Sequence, residues 1–222
     1  MPPGSPAGRR PPARARQRQP ATNRVTPAGD IVAVELRGAW LGNRGILHRG
    51  TDVFRFHASN LWIICELEFK GWRLPQWEPH HLTVLFFHDE AVALAAGHRP
   101  CALCRRPSYN EYRQAWAVGL GVAVPLAKEI DRQLHSERIV RGTHRRQVHD
   151  TSWVDVPAGA FVVWEGQTAL VLDHAIVPWS TEGYQAPLSR PADGMIGVLT
   201  PPSTLAVLRA GYRPQIDAGA RC

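Results

Sequence analysis

Cys101 and Cys104 stand in the run Gly97-His98-Arg99-Pro100-Cys101-Ala102-Leu103-Cys104-Arg105-Arg106. Two thiolates separated by two residues can grip one tetrahedral Zn²⁺ with little backbone strain. The same spacing can form a redox pair with a lowered thiol pKa. Arginines on both sides, Arg99, Arg105 and Arg106, add a third possibility, a metal-stabilised surface that meets phosphate. No other segment combines residue type and spacing so specifically. Walker, dinucleotide and G-x-S-x-G elements are absent from the sequence.

The elements around the motif follow from patterning. Asp89 to Ala96 is a short Ala-rich helix with acids in its first turn and Gly97 at its end. Leu61–Cys65 and Leu82–Phe87 are apolar runs of strand length, and Ile31–Leu36 and Val53–His57 also have strand character. Ser108, with Glu111 three residues on, predicts a capping box for the next helix. Pro125 to about Val140 predicts another helix, with Ile130, Leu134 and Ile139 on its apolar face. The last third turns to short strands at 161–164, 169–172 and 175–179, then a helix after Pro201-Pro202. The fold expected is α+β, with short antiparallel strands, a metal-bearing part over 29–140, a linker at 141–152 and a small β-rich part over 153–222.

The segment from Phe86 to Arg105 resembles one half of the Ada-type metal-binding domain, the zinc module of bacterial DNA alkylation-repair proteins. Two aromatics, an acid, an Ala-rich helix, then Gly, Arg-Pro and Cys-x-x-Cys-Arg agree in order over about twenty residues. The Gly42–Gly45 and Leu134–Arg138 stretches are similar to a bacterial family of uncharacterised proteins. The Ada resemblance implies a zinc module and, with the net positive charge, contact with nucleic acid in repair or regulation, for which Arg99, Arg105 and Arg106 are the candidate phosphate-facing residues. It implies two further cysteines upstream at C-x-x-x-C spacing. Cys65 matches the first, but Phe69 occupies the second position, so methylphosphotriester repair does not carry over.

With Cys65, Cys101 and Cys104 as three ligands, the fourth place falls to a histidine, an acid, a water or nothing. His81, in the His80-His81 pair before the strand that leads to the helix, is the candidate taken here; His98, His48 and His135 remain open. Three protein ligands with an open position is the catalytic zinc pattern, in which bound water titrates near neutrality. A zinc-dependent hydrolase or related enzyme is therefore the alternative to a nucleic-acid-binding module. Asp131 and His135, one turn apart on a helix, are its candidate proton-handling pair, since an Asp that orients a His makes a general base.

Composition sets the frame. The chain has 222 residues, 44% hydrophobic, enough for a substantial core. Its formal charge of +7 points to an anionic partner, and nearly all its basic residues are Arg, with Lys only at 70 and 128. Residues 1–28 are rich in Pro, Arg and Ala and predict a disordered basic arm. Four cysteines are too few for a disulfide scaffold. No apolar run approaches the roughly 20 residues needed to cross a bilayer. A protein of the reducing cytoplasm, without a membrane partner, is expected.

Overall fold

The structure, a computed structural model, describes residues 22–221. Strands β1 (Arg24–Val25), β2 (Ile31–Val32) and β3 (Trp40–Asn43) come first, followed by a small hairpin of β4 (His48–Arg49) and β5 (Asp52–Val53). Then come β6 (Ile63–Cys65), β7 (Leu85–Phe87), helix α1 (Glu90–Ala95), β8 (Arg99–Pro100), and the longer helices α2 (Arg106–Leu120) and α3 (Ala127–Arg138). The second half runs through β9 (His149–Ser152), β10 (Phe161–Trp164), β11 (Gln167–Val171) and β12 (Ala175–Ser180). It closes with β13 (Gly183–Tyr184), β14 (Leu188–Ser189), β15 (Met195–Val198) and helix α4 (Pro202–Arg209).

The expected α+β architecture is what the chain adopts. A six-stranded sheet orders β2-β1-β7-β3-β6-β8, and a seven-stranded sheet orders β13-β12-β11-β10-β15-β9 with β14 beside β12. The second sheet is antiparallel throughout. The first contains two parallel pairs, β1 with β7 and β6 with β8. Parallel neighbours need a long crossover, and here the chain between β6 and β8 supplies β7 and α1. One apolar cluster joins the sheets, running from Phe87 and Leu94 through Tyr112 and Ile130 to Phe161, Leu170 and Leu205.

Helix α1 forms where its signals placed it. Asp89 caps it, its side chain accepting from the Val92 N–H at 2.9 Å, and Gly97 at φ +83° ends the turn. The capping box expected at Ser108 does not form: helix α2 starts two residues earlier, with Arg105 at the N-cap and no side-chain cap bond, because Pro107 fits the first turn, where its missing N–H costs nothing. It packs on α4 so closely that a Cβ on Gly119 would sit 2.4 Å from the Ala206 carbonyl oxygen.

Several boundaries differ from expectation. The arm expected over 1–28 gives way by residue 22: Asn23 is buried, its amide donating to the Val84 carbonyl at 2.9 Å, and Arg24–Val25 is a sheet strand. Residues 1–21 lie outside the described residues. The strand expected over Ile31–Leu36 stops at Val32, and the Leu36 carbonyl accepts from Arg24 Nε instead of a ladder partner. Within the segment expected as a linker, 141–152, His149–Ser152 forms the edge of the second sheet, and Arg146 bonds the carbonyls of Ala95, Arg138 and Leu199. Among the described residues, no helix is long and apolar enough to cross a membrane.

Candidate metal centre

The parallel pair β6–β8 builds the site. Cys65 ends β6; Cys101 follows β8 directly, its N–H donating to the Ile64 carbonyl at 2.9 Å. Cys104 lies in the turn that leads into α2, where the Arg105 N–H donates to the Cys101 carbonyl at 3.2 Å. This register brings the Cys65, Cys101 and Cys104 sulfurs within 4.8 Å of one another. Tetrahedral thiolates about 2.3 Å from zinc stand about 3.8 Å apart, so a trio within that bound is compatible with one shared ion. The trio could hold a metal ion, and all three are free thiols.

The thiols do not behave alike. Hydrogen bonds from Cys104 and Cys65, with further ones from backbone N–H groups, pull the Cys101 thiol down to about 2. The Leu103 N–H lies 3.4 Å from its sulfur. Cys65 is pushed up by hydrogen bonding to Cys101 and Cys104 and by burial, and Cys104 is pushed up mainly by its bond to Cys101. One thiolate at Cys101 is thus shared by two neighbouring thiols. A divalent cation would supply the positive charge that lets the other two deprotonate.

The expected fourth ligand is not at this site. His81 is exposed, and its Nδ1 donates to the Pro79 carbonyl at 3.0 Å. Among the described residues only the three cysteines make up the cluster. The nearest acid along the chain is Glu66, beside Cys65. Burial raises its carboxyl, and Arg105 Nε lies 3.7 Å from Oε1.

Asp131 and His135 share a helix but not a hydrogen bond. The Asp131 carboxylate accepts two bonds from Arg99, Nε to Oδ1 and Nη2 to Oδ2, each 2.8 Å. His135 instead faces Arg138, whose Nη2 donates to its Nδ1 at 3.2 Å. Two of the three arginines expected to meet phosphate are interior. Arg99 is held by Asp131, and Arg105 lies 3.9 Å over the Trp40 ring and donates to Glu90 at 2.8 Å. A phosphate contact needs a guanidinium on the surface, and of the three only Arg106 is exposed.

Sequence reasoning missed a buried cationic group. Arg44 and Arg138 lie 4.1 and 3.9 Å from the centre of the Trp62 ring, and His98 bonds Arg44 Nε at 3.3 Å. Backbone carbonyls, not acids, take most of their hydrogen bonds: Gly29 for Arg44, and Gly97 and Asn60 for Arg138. Burial lowers the Arg138 and Arg146 guanidinium values to about 9. The sequence signal was present in Gly42-Asn43-Arg44-Gly45 and in the basic run 141–146, but nothing in either marks an interior arginine.

Comparison of the chain with family models, with curated proteins and with solved structures finds no match.

Proposed function

We propose that this is a zinc-binding protein in which Cys65, Cys101 and Cys104 hold one Zn²⁺, and that its macromolecular partner is nucleic acid. The observation that carries the zinc reading is the convergence of three sulfurs from two distant chain segments within 4.8 Å. Soft thiolates in a tetrahedral set favour zinc over magnesium or calcium, which take oxygen ligands. For nucleic acid the support is the formal charge of +7 together with exposed Arg106, Arg132, Arg141 and Arg145.

One observation favours a second reading, an enzyme with an open coordination position. Only three ligands come from the described residues. Zinc in such a site brings the pKa of bound water to about 7. Glu66, next to Cys65 in the chain and with its carboxyl raised by burial, is then the candidate proton carrier in place of Asp131, which is committed to Arg99.

Metal analysis of the purified chain tests the first reading; about one zinc per chain is expected, lost in Cys65→Ser and Cys101→Ser. Zinc retained by both variants would sink it. Cobalt substitution separates the two readings. Absorption bands that shift when imidazole is added mean an exchangeable fourth ligand, whereas unchanged bands mean a closed site. Gel shifts at several salt concentrations test the partner, with affinity falling as salt rises; no shift at low salt removes nucleic acid from the proposal.

A further inference from the structure

A cleft of about 680 Å³ opens between the C-terminal half of α3, the 57–60 turn and the 141–147 loop. His57, His135 and His144 line it, with Arg132, Arg141 and Asn60, and no carboxylate is among its lining residues. The His57 ring is 5.2 Å from His135 and 6.3 Å from His144, so the three imidazoles form one group.

Behind the wall lies fixed positive charge. Arg138 touches two lining residues, donating to the Asn60 carbonyl at 2.8 Å and to His135 Nδ1 at 3.2 Å. Arg44 and Arg146 are buried beside it. Arg44 Nη2, Arg138 Nε, Arg146 Nε and His98 Nδ1 are buried without a hydrogen-bond partner among the described residues. Buried guanidiniums answered by carbonyls leave an uncancelled field, and low-dielectric walls direct it into the nearest opening. The carbonyl end of α3 opposes this with about half an elementary charge. Arg132, Arg141 and Arg138 outweigh it.

The donors fit an oxyanion. Arg138 donates to His135 Nδ1, so the neutral His135 ring carries its proton on Nε2 and can donate there. Arg132 and Arg141 are exposed and carry guanidinium forks that match phosphate oxygens. We propose that this cleft binds the phosphate group of a phosphate ester, held by Arg132, Arg141 and His135. The proposal requires neither the zinc nor a polynucleotide: a free nucleotide satisfies it as well as a strand.

Titration calorimetry of the full chain with inorganic phosphate, AMP and an eight-nucleotide oligothymidylate is the test. Binding of AMP identifies a terminal phosphate as the ligand group; binding of the oligonucleotide alone identifies a diester. In either case Arg132→Ala, Arg141→Ala and His135→Gln should each weaken binding about tenfold. Arg73→Ala, an exposed arginine outside the cleft, should bind as the unaltered chain does. Arg132 and Arg141 are exposed, so their replacement leaves the fold intact, and zinc content measured on the same samples should not change. No binding of any of the three ligands, or equal binding by all variants, overturns the cleft as a phosphate site. Oligonucleotide binding that depends on Arg106 and not on Arg141 also overturns it, while leaving nucleic acid as the partner.

Discussion

The two sheets bury different things. Among the described residues, the first 127, up to Val148, put Arg44, Asp89, Glu90, His98, Arg99, Arg105, Asp131 and Arg138 in the interior. From His149 onward the fully buried polar side chains are Thr200, Ser203 and Thr204, none of them charged. A buried charge is costly unless paired, so the first region spends stability on polar architecture, and the three cysteines and the histidine cleft lie within it. The second is an apolar antiparallel sheet that supplies core. What the contrast teaches is where to look: chemistry sits where burial of charge needs explaining.

Breaking a buried pair should be the most damaging change in the first region. Asp131→Ala strands the Arg99 guanidinium and is expected to cost about 3–5 kcal/mol in urea unfolding. Arg99→Met with Asp131→Leu should recover most of that loss, since removing both charges removes the desolvation penalty. If the double variant is as unstable as the single one, the pair is not the reason. In the second region the matching experiment is Leu170→Ala, at the fully buried centre of β11. It should cost about 2–5 kcal/mol by cavity formation and leave zinc content unchanged. Zinc lost with that variant would show the regions to be less separate than their interiors.

Tyr184→Phe probes the seam between them. The Tyr184 hydroxyl donates to Asp89 Oδ2 at 2.7 Å, and its loss should cost about 1.5–3 kcal/mol, read as a shift in the urea midpoint. The smallest effect is acid-dependent. Burial, then the charges of Arg44, Arg138 and Arg146, holds His98 well below the ordinary imidazole value. The unfolded chain takes up a proton there below about pH 6.5 and the folded chain does not, so stability is present above that pH and falls as acid is added. His98 contributes up to about 1.4 kcal/mol per pH unit to that fall. A urea midpoint unchanged between pH 7 and 5 would contradict it.

Much of the scaffold was legible because its signals are local. Asp89 as a cap, Gly97 as a stop and the alternating runs at 161–179 specify elements without help from distant residues. The cysteine trio was legible too, because C-x-x-C fixes two ligands and only one other cysteine precedes it in the chain. What could not be read was pairing at a distance. Asp131 and His135 have helix spacing that brings them to one face, yet the strand carrying Arg99 reaches the carboxylate with a bidentate geometry that no spacing on α3 reveals. Arg99 and Arg105 looked like surface cations because arginine usually is one; Asp131, Glu90 and Trp40 make them interior. His81 adjoins the right strand, but its own turn, closed by the His81 N–H to the Glu78 carbonyl at 3.1 Å, keeps it on the surface.

The adjacent acids at the start of α1 also bear on the order in which this molecule is assembled. Asp89 accepts from the Asp217 N–H, and Glu90 from the Tyr212 hydroxyl and the Gln215 N–H. Those partners lie 122 to 128 residues downstream. A ribosome delivers α1, and the cysteine loop that follows β8, long before it delivers these three partners. Until then Asp89 has its cap to the Val92 N–H and Glu90 its ion pair with Arg105, and the rest of each carboxylate must stay hydrated. Full satisfaction of both carboxylates therefore waits on translation of the segment 212–217, and a nascent chain cut short of it leaves the first turn of α1 partly unpaired.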